Sequence, residues 1–138
     1  HAGRLAENSV FHTLMSSARE RGAAIFGECG GYMVLGEELT SEDGSIHSML
    51  GFLPLRTSFA KRKLNLGYRI VRMLTNSLLG EAGMVFRGHE FHYATIAREM
   101  GGQPLFQASN AAGEDMGKIG LVAGRVAGSF VHLIDQSS

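Results

Sequence analysis

Apolar residues recur at Leu5, Val10, Phe11, Leu14, Met15 and Ala18 with the spacing of one helix face, which predicts a helix from Leu5 to Arg21, stopped by Gly22. Ala23–Gly27 is a short apolar run that reads as a buried strand, and a helix-like pattern returns over Tyr32–Leu39. Thr40–Ser48 is polar and carries Asp43-Gly44 as a turn signal. After it the period shortens. Thr57–Lys61, Tyr68–Leu74, Met84–Arg87, Glu90–Ala97, Leu105–Ala108 and Lys118–Ala123 are predicted as short strands divided by glycine-bearing turns, and Val126–Leu133 as one more strand or strand end. Helices first and strands later imply an α/β core with an added antiparallel portion. In an α/β sheet a helix normally follows a strand, so a strand and its loop are expected ahead of His1. A sheet edge bared in that way would invite pairing with a second copy, so a homo-oligomer is an expectation of this reading.

Composition changes this picture little. A chain of 138 residues supports one domain, 1–138, with a real core. It has no run of about eighteen apolar residues, which argues against a membrane partner. The opening His1-Ala2-Gly3-Arg4 has no apolar signal region. Thirteen Lys and Arg balance thirteen Asp and Glu, so the net charge gives no support for nucleic acid as a partner. The single cysteine cannot form an internal disulfide and has no partners spaced for zinc. That suits a reducing cytoplasm, with no metal expected and the thiol left for chemistry.

The thiol sits in Ile25-Phe26-Gly27-Glu28-Cys29-Gly30-Gly31-Tyr32-Met33, where a strand pattern meets a helix pattern through small residues. A nucleophile on a sharp strand-to-helix turn needs such neighbours, because the backbone folds tightly and a substrate must come close. The amino end of the following helix would favour a thiolate and help hold an oxyanion. The other reading is a buried cysteine acting as a small hydrophobe. A cysteine nucleophile needs a base, and histidine is the usual one. Of six candidates, His1 and His12 lie in the first segment and His47 in the polar stretch. His89 and His92 fall in Arg87-Gly88-His89-Glu90-Phe91-His92-Tyr93, three apart and so on opposite faces of a regular strand. His132 closes Gly128-Ser129-Phe130-Val131-His132-Leu133. Spacing alone does not choose among them.

Taken together, Phe26–Met33, Gly88–Tyr93 and Gly128–Leu133, in this order, resemble the C-terminal glutaminase domain of the cobyrinic acid a,c-diamide synthases. Those enzymes belong to the cobyric acid synthase-type branch of the class I glutamine amidotransferases. Leu66-Gly67-Tyr68-Arg69 is similar to a further segment of that family. The cysteine motif alone fits many amidotransferases, and the histidine–aromatic segment narrows the choice. The resemblance implies a flavodoxin-like α/β sheet flanked by helices.

It also implies roles. Cys29 would attack the side-chain amide of glutamine, with His132 as acid and base. Gly30 would offer an oxyanion N–H, with Gly31 and Glu28 at the substrate; Glu28 as a solvent-facing carboxylate is the alternative. Many class I amidotransferases carry a glutamate two residues after the histidine, where this chain has Ile134. Asp135 and Glu90 are then candidate orienters of an imidazole, and His89, Glu90, His92 and Tyr93 candidates for supporting the site or facing another domain. The cluster Arg56, Lys61, Arg62 and Lys63 could face an acidic substrate or simply solvent. The implied partners are glutamine and, through an ATP-binding synthetase domain, a corrinoid whose a- and c-carboxylates are amidated. ATP and magnesium belong to that other domain, since no Gly-x-x-x-x-Gly-Lys-Ser/Thr loop occurs here. A domain of this kind that only binds a partner, or a cysteine hydrolase acting on another substrate, are the competing readings.

Overall fold

The computed structural model describes residues 9–60, 63–99 and 102–137. Helix α1 (Ser9–Glu20) leads into β1 (Ile25–Glu28), and α2 (Gly30–Leu35) follows after one residue. Then come β2 (Glu38–Thr40), β3 (Ile46–Ser48), β4 (Leu55–Ser58), β5 (Asn65–Met73), β6 (Val85–His92) and β7 (Thr95–Glu99). Strands β8 (Gln103–Asn110), β9 (Asp115–Ala123), β10 (Val126–Ser129) and β11 (Val131–Ser137) complete the order. A seven-stranded sheet has the order β1-β10-β9-β8-β5-β6-β11, and a four-stranded sheet the order β3-β2-β4-β7. Among the described pairs, β1–β10 and β2–β4 are parallel and the others antiparallel. The antiparallel portion is therefore larger than the sequence pattern suggests.

Burial follows the period of each element. Along β5, Arg69, Val71 and Met73 point inward while Tyr68, Ile70 and Arg72 face out. Val71 and Met73 of the inward row join Leu105, Phe106, Val122, Ala127 and Val131 in one apolar cluster. A second cluster gathers Tyr32 and Leu35 of α2 with Phe52, Leu53, Leu55 and Phe130. The helix after the cysteine is thus anchored by its buried face.

Several element boundaries differ from the sequence reading, each for a local reason. Residues 1–8 of the first helical segment lie outside the described residues. Helix α2 ends at Leu35, not Leu39, because Gly36 is extended and passes so close to β4 that a Cβ there would lie 2.6 Å from the Leu55 carbonyl oxygen. Glu38–Thr40 then pairs as β2, and the polar stretch becomes a hairpin whose turn is set by Ser45 N–H donating to Asp43 Oδ1. Strand β6 runs unbroken through Gly88, which is not a turn. A Cβ at Gly88 would sit 2.4 Å from Val131 Cγ1, so the glycine marks the close approach of β11. The stretch Val126–Leu133 divides at Phe130 into β10 and β11, which pair with different strands.

Candidate active site

Cys29 is the one residue between β1 and α2, and it has φ +52° and ψ −113°. It is the only non-glycine with a positive φ among the described residues. Such a conformation costs about 1–3 kcal/mol and persists only where the surroundings impose it. Here Cys29 N–H donates to the Ser129 carbonyl at 3.0 Å, and Met33 N–H donates to the Cys29 carbonyl at 3.2 Å. The tight packing falls on Gly27 and Gly128, paired across β1 and β10. A Cβ on Gly27 would lie 2.7 Å from the Gly31 backbone, and one on Gly128 would lie 2.6 Å from the Gly27 carbonyl oxygen. Gly30 and Gly31 face open space instead, since a Cβ on either would meet nothing within 4 Å. As the first residues of α2 they also present N–H groups that no preceding turn can bond.

The thiol is half-buried and donates to the Phe130 carbonyl oxygen across 3.1 Å. Burial pushes its pKa up, and the nearby carboxylates Glu28 and Glu90 push in the same direction. The resting group is a thiol. The sequence reading expects the helix end to favour a thiolate, whereas desolvation and the two carboxylates favour the thiol.

His132 stands on β11, exposed on its outer side. Its Nδ1 lies 3.0 Å from Glu28 Oε1, and Leu133 N–H donates to Glu28 Oε2 at 2.7 Å. Both oxygens of Glu28 therefore have partners on β11, while a quarter of its side chain stays exposed. Strands β1 and β11 are the two edges of the seven-stranded sheet. The Glu28 carboxylate ties one edge to the other and brings His132 to the residue preceding the nucleophile.

Glu90 and Asp135 do not orient His132. Asp135 makes a two-pronged ion pair with Arg87 at 2.9 and 2.7 Å on the surface. Glu90 accepts from Arg69 Nε at 2.8 Å and faces His92 Nε2 at 2.7 Å, while His92 Nδ1 faces the Ala94 carbonyl at 3.0 Å. Burial alone would raise the pKa of Glu90, but the hydrogen bonds and charges of His92 and Arg69 bring it below the usual range. The His92 ring stacks on Phe130 with centroids 3.9 Å apart, and Tyr32 meets Phe130 edge-on at 5.4 Å. This group lies behind the nucleophile and fixes the residue whose carbonyl holds the thiol. His89 sits on the opposite face of β6, across from His132 in register and edge-on to Tyr68. Tyr93 is exposed and packs edge-on against Phe91. Arg56 pairs with Glu37 and Glu38 at the surface, and Lys61 and Arg62 lie outside the described residues.

Sequence reasoning assigned no role to Ser129, Phe130 or Arg69. All three lie inside segments it quoted for other reasons; Ser129 and Phe130 stand two or three residues before a candidate histidine, whereas nothing in the spacing singled out Arg69. Among the described residues no group of three His, Cys, Asp or Glu side chains is placed to hold a metal ion.

Along their whole length, residues 1–138 match the CobB/CobQ-like glutamine amidotransferase domain. The chain belongs to that family. This amidotransferase domain is 56% identical to the hydrogenobyrinate a,c-diamide synthase of a Sinorhizobium species over 135 residues, which cover 98% of the chain and 30% of that protein. The proteins of the same name from Brucella anthropi and Rhizobium meliloti are 51% and 52% identical, over 98% and 99% of the chain and 30% and 31% of their own lengths. The domain thus spans about 30% of the curated relatives it matches. A solved glutamine amidotransferase superposes with a TM-score of 0.58 at 20% identity, covering 94% of this chain and 63% of that one. One from Thermotoga maritima gives 0.51 at 15%, over 89% and 46%. These two show a shared fold, and the α/β amidotransferase-like architecture read from the sequence holds.

Proposed function

We propose that the domain hydrolyses glutamine through Cys29 and delivers the ammonia to an amidation carried out by the rest of a longer polypeptide. The observation that carries this is Cys29 itself, a strained non-glycine on a strand-to-helix turn, next in sequence to the glutamate that holds His132. The thiol proton passes to His132 as the sulfur attacks the amide carbon of the glutamine side chain. The negative oxygen so formed faces the N–H of Gly30, in the open space beside Gly30 and Gly31. His132 returns the proton to the nitrogen, ammonia leaves, and a glutamyl thioester remains. Water, deprotonated by the same ring, then releases glutamate and restores the thiol.

The names of the relatives support hydrogenobyrinic acid, the metal-free corrinoid, as the acceptor, with its a- and c-carboxylates becoming amides. A carboxylate must be activated before ammonia can displace its oxygen, and ATP with magnesium would do this by forming an acyl phosphate. This chain has no phosphate-binding loop motif, and its described residues form no metal-holding cluster, so we place neither group on it. A cytoplasmic location is part of the same proposal; among the described residues no helix is long and apolar enough to cross a membrane.

The test uses the full-length polypeptide. Cys29→Ala and Cys29→Ser should abolish glutamine-dependent amidation and leave amidation from free ammonia largely intact. A thiol-directed glutamine analogue should label the wild-type protein once, at Cys29. Equal loss of both activities in a folded variant, or no labelling, would overturn the assignment and leave a binding role for the domain.

A further inference from the structure

We infer that Glu28 is the positioning residue of His132, holding the ring in the tautomer whose Nε2 can take the Cys29 proton. This rests on the glutaminase reading above and adds the residue that the position of Ile134 leaves unassigned. A carboxylate offers only acceptors, so the contact at 3.0 Å requires His132 Nδ1 to carry hydrogen. In the neutral ring the lone pair is then on Nε2, the nitrogen pointing away from Glu28. The second oxygen accepts Leu133 N–H at 2.7 Å, which fixes the backbone of the residue after the histidine. Two donors one residue apart on β11 thus meet the two oxygens of one side chain.

The other carboxylates near the site are committed elsewhere. Glu90 is bonded to Arg69 and His92, and Asp135 to Arg87. Ile134 is passed over in the β6–β11 register, which steps from Leu133 opposite Gly88 to Asp135 opposite Arg87. It occupies a bulge, where a side chain leaves the regular row of its strand. The Glu28 side chain is 25% exposed against 66% for the His132 ring it contacts. These placements favour a role through His132 over contact with substrate.

Glu28→Gln separates the two roles while keeping size and shape. Its amide has one acceptor for two donors, and its NH₂ group is satisfied best when His132 Nδ1 loses its hydrogen. The ring then carries hydrogen on Nε2 and cannot accept the thiol proton. In the full-length polypeptide the expected result is a fall in glutaminase kcat of about 10²–10⁴-fold, the range of a lost acid–base group, with KM close to wild type. Nitrogen-15 NMR of the imidazole should show hydrogen on His132 Nδ1 in the wild type and on Nε2 in Glu28→Gln. A raised KM at unchanged kcat, a fall in kcat without the tautomer change, or the tautomer change at unchanged kcat would each overturn the inference. If melting shows that Glu28→Gln does not fold, Glu28→Asp is read in its place: partial kcat with the wild-type tautomer is expected, and full kcat or the reversed tautomer would overturn it. A wild-type protein that neither hydrolyses glutamine nor takes the label refutes the glutaminase reading instead, and the NMR comparison still decides the placement of Glu28.

Discussion

The Cys29 thiol donates its hydrogen to the carbonyl oxygen of Phe130, 3.1 Å away and 101 residues later in the chain. The nucleophile is thereby stored in its protonated form, and the same backbone segment carries His132 two residues on. Because burial and the Glu28 and Glu90 charges raise the Cys29 pKa, its thiolate fraction at neutral pH falls below that of a free cysteine. Alkylation by iodoacetamide should be slow at neutral pH and should keep rising with pH beyond about 8.5, the ordinary value. A rate already at its plateau at neutral pH would contradict this.

The backbone at Cys29 also predicts a trade between activity and stability. Glycine adopts positive φ without the Cβ penalty. Cys29→Gly should therefore be inactive yet more stable, by up to about 1–3 kcal/mol, the cost of such strain. Thermal or denaturant melting reads this directly, and a less stable Cys29→Gly would mean that the turn is not strained.

The histidines should separate by mechanism. His132→Ala is expected to lower glutaminase turnover by about 10²–10⁴-fold, with little change in melting because the ring is exposed. His92→Ala removes the ring stacked on Phe130 and should lower stability first. Near-normal turnover in His132→Ala would exclude it as the base.

The largely buried pair of Arg69 and Glu90 should contribute to acid behaviour. Breaking such a pair by removing one charge costs about 3–5 kcal/mol, so Glu90→Gln should be markedly destabilised at neutral pH. Glu90 has a lower pKa folded than unfolded. Its contribution is therefore complete above the ordinary glutamate range near 4.3 and fades as pH falls through the lower folded value. Wild-type melting temperature should drop across that acid window, and Glu90→Gln should show less of the drop. Parallel curves would refute the link.

Glycine scanning should give opposite results at two sites on either side of the nucleophile. Gly128→Ala places a methyl 2.6 Å from the Gly27 carbonyl oxygen and should cost about 1–3 kcal/mol as overpacking. Gly31→Ala meets no atom within 4 Å and should fold normally, with any defect appearing as a higher KM for glutamine. Equal stabilities for the two would show that the β1–β10 approach is looser than described.

How far the sequence could be read depended on whether a feature was local. The turn at Cys29, the opposite faces of His89 and His92, and most strand centres follow from spacing that can be counted. Gly88 reads as a break because a glycine in a strand looks the same whether it bends the chain or admits a neighbour; only the position of Val131 decides. The division of Val126–Leu133 depends on which strands lie on either side. The role of Glu28 was beyond reach for a similar reason. Its partners are more than 100 residues away, and the contact needs β1 to pair with β10, which brings the start of β11 alongside.

The bulge at Ile134 has a consequence for where an orienting acid can be. On a regular strand the side chain two residues after His132 would lie in the same row as the ring. Here β11 changes phase after Leu133, so that Asp135 meets Arg87 in the row where residue 134 would have stood. An acid at position 134 would be carried out of line, and Asp135, which takes its row, is bonded to Arg87, so the acid comes instead from the residue joined by a peptide bond to the nucleophile. Sulfur and carboxylate share one short rigid unit, so the imidazole takes its bearings from the nucleophile's side of the site, and any shift of that unit carries the ring's anchor with it.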